Sequence, residues 1–195
     1  MKRRAAITFT AALLGLGLWS ITALSADDDD KKAAQEAVLK LVDAMNKGGD
    51  VKGQIAAITQ KFDELEPIMW VYKPKKKGGI GMGKDGVDDI ELTLGKIGSP
   101  TGKAKLTPQK LAGMKADLIK VGELSRAVAL ISEQDKYVQN YGKKNAAKWK
   151  DYTKEMKKGA EELLKAVKSD SVNDVKKAAN NLSASCTNCH SDFRE

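Results

Sequence analysis

Along most of the chain, apolar residues recur every three or four positions with polar residues between them, which is the period of helices packed on a core. The first such segment, about 31–47, gathers Val38, Leu39, Leu41, Val42 and Met45 on one side before "NKGGD" interrupts it. A second, about 51–66, carries Ile55, Ile58, Phe62 and Leu65 ahead of Pro67. "TPQK" predicts the start of a third, with Thr107 as N-cap and Pro108 at the first helical position. Its apolar stripe runs from Leu111 through Leu118, Val121, Leu124 and Val128 to Ile131. A fourth spans about 143–168, with Trp149, Tyr152, Met156, Leu163 and Val167. The last begins near Ser171 and ends on Cys186, Cys189, His190 and Phe193. Only "IMWVY" at 68–72 suggests a strand. The pattern predicts an all-α fold in the form of a helical bundle.

Two stretches break the pattern. Residues 73–106 are rich in Gly and Lys and predict an inserted loop with one short extra helix near 87–95. So long a connection within a compact domain is functional or mobile. At the other break, "MKRR" precedes a 20-residue apolar run and the small residues "ALSA", the organisation of an export signal. The expectation is a signal peptide over 1–25, a mature domain over 26–195 and a periplasmic protein, with membrane attachment only if the run stays uncleaved. "DDDDK" would then open the mature chain just ahead of the first helix, where carboxylates are favoured.

Charge changes little. Removing Lys2, Arg3 and Arg4 lowers the formal +8 by three to +5, too weak a balance to argue for nucleic acid. "KPKKK" at 73–77 is a solubilising loop or a docking point for an acidic partner. "GMGKDG" at 81–86 fits GxGxxG, and 78–84 fits part of a phosphate loop. Neither comes with a parallel sheet, and Asp85 would repel a phosphate.

The candidate chemistry lies at the end. The chain has two cysteines and one histidine, and all three fall in "CTNCH" at 186–190. On a helix Cys186, Cys189 and His190 are i, i+3 and i+4, on one face. The spacing suits covalent haem, with two thioethers to the vinyl groups and the imidazole as axial iron ligand. A structural zinc site would need carboxylates to complete it. A thioredoxin-like redox pair would need a helix N-terminus.

"VKKAANNLSASCTNCHSDFRE" resembles the C-terminal helix of the cytochromes c prime, the class II c-type cytochromes. The resemblance implies an exported antiparallel four-helix bundle around one covalent haem c, with His190 as proximal ligand, Phe193 in the family tail and Arg194 near the proximal face. "QEAVL" at 35–39 aligns with the family's distal segment, with Gln35 where the family carries an arginine, and this puts Leu39 over the iron. Met45, on a similar helix face, is the competing sixth ligand, since a thioether binds haem iron; otherwise it fills core. The function implied is electron transfer with unidentified redox partner proteins, with NO or CO binding at the distal face. A dedicated gas-binding or NO-scavenging role, or a structural CxxC metal or redox protein, is the alternative. A homodimer through the first two helices is a family habit. With no second histidine for distal acid–base work, an enzyme is not expected.

Overall fold

The structure, a computed structural model, describes residues 22–99, 106–141 and 145–193. The expected signal segment up to residue 21, the end of the 73–106 insertion and Arg194 lie outside the described residues.

Eight α-helices account for most of the described residues: α1 (Thr22–Lys47), α2 (Val51–Lys61), α3 (Glu66–Met69), α4 (Ile90–Gly98), α5 (Pro108–Ser132), α6 (Asp135–Tyr141), α7 (Ala146–Lys168) and α8 (Val172–Phe193). They include no strand, only an isolated antiparallel bridge between Met82 and Asp88. The expected all-α bundle is what the chain forms.

Local signals set most of the boundaries. The Thr107 side chain accepts from the Lys110 amide at 3.3 Å, and Asn145 caps α7 by accepting from Lys148 at 2.9 Å. α2 stops at Lys61, short of the expected 66, because Phe62 turns extended and buries its ring. Pro67 then enters the first turn of a separate helix, α3, which tightens into a 3₁₀ turn over Trp70–Tyr72. "IMWVY" is therefore helical: Ile68, Val71 and Tyr72 are buried at i, i+3 and i+4, which a strand cannot place on one face. α1 starts at Thr22 rather than 31, so Asp27–Asp30 lie inside it instead of preceding it.

The long helices pack in sequence, α1 on α5, α5 on α7 and α7 on α8. α5 and α7 run antiparallel, as do α7 and α8. Glu162 meets Asn181 and Tyr152 meets Asp192 along α7 and α8, while Lys115 reaches Asp170 and Ser132 meets Trp149 between α5 and α7. α5 lies between α1 and α7, with Leu111, Leu118, Val121, Leu124, Val128 and Ile131 buried.

Segment 66–98 bridges the two ends of this array. Its first part, α3 and the 3₁₀ turn, packs on α1, and its last, α4, packs on α8. The glycine-rich stretch between them is ordered by its own contacts. Ile80 and Met82 are buried, and the Gly83 amide donates to Asp117 of α5 at 3.0 Å. Gln35 donates to the Gly78 carbonyl, and the Trp70 indole donates to that of Lys77 at 2.5 Å. Gly81 has φ +59°, and a Cβ there would lie 2.2 Å from the Gly86 carbonyl oxygen. The glycines of "GMGKDG" thus serve a tight turn, not a phosphate.

Candidate functional site

α8 is placed by its buried stripe Val175, Ala178, Ala179 and Leu182, which turns the following positions into fixed directions at the helix end. Cys186 and His190 face α4, and Cys189 packs against the core. All three are half-buried, and both cysteines are free thiols. A cleft of about 440 Å³ runs between α4 and α8, lined by Glu91, Leu92 and Gly95 on one side and Ser183, Cys186 and His190 on the other. A volume of several hundred Å³ is that of small-molecule and cofactor pockets.

The end of α8 is locked to α7. Asp192 accepts from the Tyr152 hydroxyl at 2.6 Å and pairs with Lys148 at 2.6 Å. Those two partners, Lys148 first, hold the Asp192 carboxyl below its ordinary range. Phe193 sets its ring edge-on to Trp149 at 5.2 Å and to Tyr152 at 6.3 Å. The structure therefore seats Phe193 on α7 and not in the cleft.

On the other side, burial, followed by the Glu91 carboxylate, pushes the Cys186 thiol up to about 12. Burial, followed by Asp192, raises Cys189 to about 11. Tyr72 is buried, and its hydroxyl lies 3.3 Å from Ser125 Oγ. Two protonated thiols near a helix C-terminus are the reverse of a redox-active CxxC pair, which needs a thiolate stabilised at a helix N-terminus. Among the described residues no group of three or more His, Cys, Asp and Glu could hold a metal ion, so nothing completes a zinc site. The donor set instead fits haem: two neutral thiols and one imidazole within a single turn, beside a cleft.

The other residues singled out in the sequence do not gather here. Leu39 is 42 % exposed, because the buried stripe of α1 runs through Ala34, Val38 and Leu41 and leaves Leu39 about 100° away. Met45 packs half-buried against the core on α1. The extensive neighbours of α1 are α2, α3, the 3₁₀ turn and α5, whereas those of α8 are α7 and α4. Gln35, in the segment aligned with the family's distal motif, serves the Gly78 turn. Sequence reasoning missed Glu91, Gly95 and Tyr72. The one available signal was the helix inside the insertion, whose stripe Ile90, Leu94 and Ile97 is buried.

Comparison with known proteins agrees with the donor set. A family model described as Cytochrome C' matches residues 132–194, which take in α6, α7 and α8. No curated protein and no solved structure matched the chain. No helix of the described residues is long and apolar enough to cross a membrane.

Proposed function

We propose that the chain is an exported monohaem c-type cytochrome that carries electrons and binds NO or CO at an open iron face. The observation that supports this reading is the placement of Cys186 and His190 on one cleft, with Cys189 a helical turn along. Cys186 and Cys189 would form the thioethers and His190 the axial bond. The haem supplies the redox and ligand-binding chemistry, and the chain supplies burial, ligation and access.

Gas binding is favoured by the cleft lining, which among the described residues holds no methionine. Its remaining nitrogen donor, Lys96, is exposed and would have to shed a proton to ligate. The expected iron is five-coordinate and high-spin, with Met45 a core residue.

The test uses whole protein expressed with a haem-attachment system. Haem should stay on the polypeptide through boiling in denaturant and acidic acetone, and Cys186→Ala/Cys189→Ala should release it. Ferrous protein should take up CO with a large spectral change, and Met45→Leu should leave the spectrum unaltered. Zinc without haem would overturn the reading, as would a low-spin spectrum lost in Met45→Leu for the open face.

A further inference from the structure

We infer that the outer face of α7 docks the acidic surface of a partner protein, engaged through Lys150, Lys154 and Lys157. The binding depends on charge and shape alone, whereas its use in passing electrons rests on the haem reading above.

The exposed charges of α7 are sorted rather than mixed. Lys150, Lys154, Lys157 and Lys158 fall at i, i+4, i+7 and i+8 and share one side of the helix. Asp151, Glu155 and Glu162 lie about 100° further round. A helix that stabilises itself through its surface sets Glu and Lys four apart. Here Lys150 neighbours Lys154, and Lys154 neighbours Lys158, like-charge pairs that weaken a helix. Of the four, only Lys158 has an ion pair among the described residues, with Glu162 on the acidic side at 3.9 Å. The other three ammonium groups face solvent or the groove beside them with no carboxylate paired to them.

Shape is the second observation. The four lysines line a groove of about 420 Å³, together with Glu133 at the end of α5 and Glu161 of α7. Four ammonium groups against two carboxylates leave the groove cationic. The two glutamates repel a chain that carries negative charge at every step, such as a polyanion. A protein surface with a few separate carboxylates can set them on the lysines and keep clear of Glu133 and Glu161. The groove therefore selects an acidic protein over a continuous polyanion.

Position is the third. Lys148 and Trp149, just before Lys150, hold Asp192 and Phe193, just beyond His190. A partner seated on the N-terminal half of α7 stands near the Cys-X-X-Cys-His end of α8. The lining of the groove shares no residue with the cleft between α4 and α8, so docking leaves that cleft uncovered by the lysines themselves.

The experiment uses the whole chain as purified. Haem content is measured separately by absorbance, so that failure of the haem reading is seen apart from failure of this one. The probe is a fluorescent helical peptide with glutamates at i, i+4 and i+8. Carbodiimide, which joins a carboxylate to an amine it touches, should cross-link the peptide to Lys150, Lys154 or Lys157, as mapped by mass spectrometry. In fluorescence anisotropy at low salt, Lys150→Gln/Lys154→Gln/Lys157→Gln should weaken binding about tenfold, the sum of a few exposed ion pairs. Lys75→Gln/Lys76→Gln/Lys77→Gln removes the same charge from a separate exposed turn and should leave binding nearly unchanged. Glu161→Gln should tighten it. If the α7 variant does not fold, the cross-link map of the unaltered chain still decides. Cross-links confined to Lys75–Lys77, equal losses in the two triple variants, or no binding would overturn the inference. So would capture of heparin or phosphatidylglycerol vesicles through the α7 lysines when the peptide stays unbound.

Discussion

At its Cys-X-X-Cys-His end α8 has α7 on one side and α4 on the other, and the two contacts are built differently. α7 holds it with side chains: Trp149 against the Phe193 ring, Tyr152 and Lys148 on Asp192, and Glu162 on Asn181. α4 approaches through glycine, with Gly98 on the Asn180 backbone, and its N-terminal end is anchored to Lys73 rather than to α8. The α7 side fixes where the helix end lies. The α4 side leaves a cleft over Cys186 and His190. The Cys-X-X-Cys-His motif thus sits on an antiparallel hairpin braced by side chains, and its cleft is bounded by a segment that touches the hairpin by backbone proximity.

Truncating the α7 side should cost the most. Trp149 is buried, and its indole donates to the Ser132 carbonyl at 2.9 Å while its face meets Phe193. Trp149→Ala should lower unfolding free energy by about 3–5 kcal/mol in urea titration. A loss no larger than that of a surface variant would mean the hairpin is not the rigid half.

Crowding the α4 side should cost less. Gly98→Val inserts atoms against the Asn180 backbone, with an expected loss of about 1–3 kcal/mol. Its larger effect should be local. In haem-free protein it should speed alkylation of Cys186, which α4 covers, and leave Cys189 unchanged, as read by peptide mass spectrometry. Equal acceleration at both thiols would show that one element shields the pair.

Tyr72→Phe should be milder still. It removes one buried hydroxyl contact with Ser125 at 3.3 Å and should cost about 0.5–1.5 kcal/mol.

The remaining effect is a pH dependence. Burial holds both thiols protonated, at about 12 for Cys186 and about 11 for Cys189. The unfolded chain loses these protons first, near its ordinary thiol range of about 8.5. In haem-free protein, stability from keeping them protonated is complete below that range and falls as pH rises through it toward 11 and 12. The Cys186→Ala/Cys189→Ala variant should lose that alkaline slope, which denaturation from pH 7 to 10 would reveal.

The sequence by itself determined the class of fold, the limits of α5 and α7 to within a few residues, and the gathering of both cysteines and the histidine at one helix end. Those depend on neighbours along the chain: a threonine three residues before the amide it caps, an apolar stripe at helical spacing, two cysteines and a histidine within one turn. α6 and the helical state of "IMWVY" were not legible, because short helices are decided by what they pack on, here Tyr137 donating to the Phe62 carbonyl at 2.8 Å and the buried Tyr72 hydroxyl meeting Ser125 of α5 at 3.3 Å. Which element faces His190 was decided by tertiary structure alone. Leu39 and Leu92 are both leucines near helix stripes, and local sequence cannot say which helix reaches α8. That choice follows from Gly98, where the missing side chain lets α4 touch the Asn180 backbone, and from α5, whose place between α1 and α7 sets Leu39 on a face turned toward solvent.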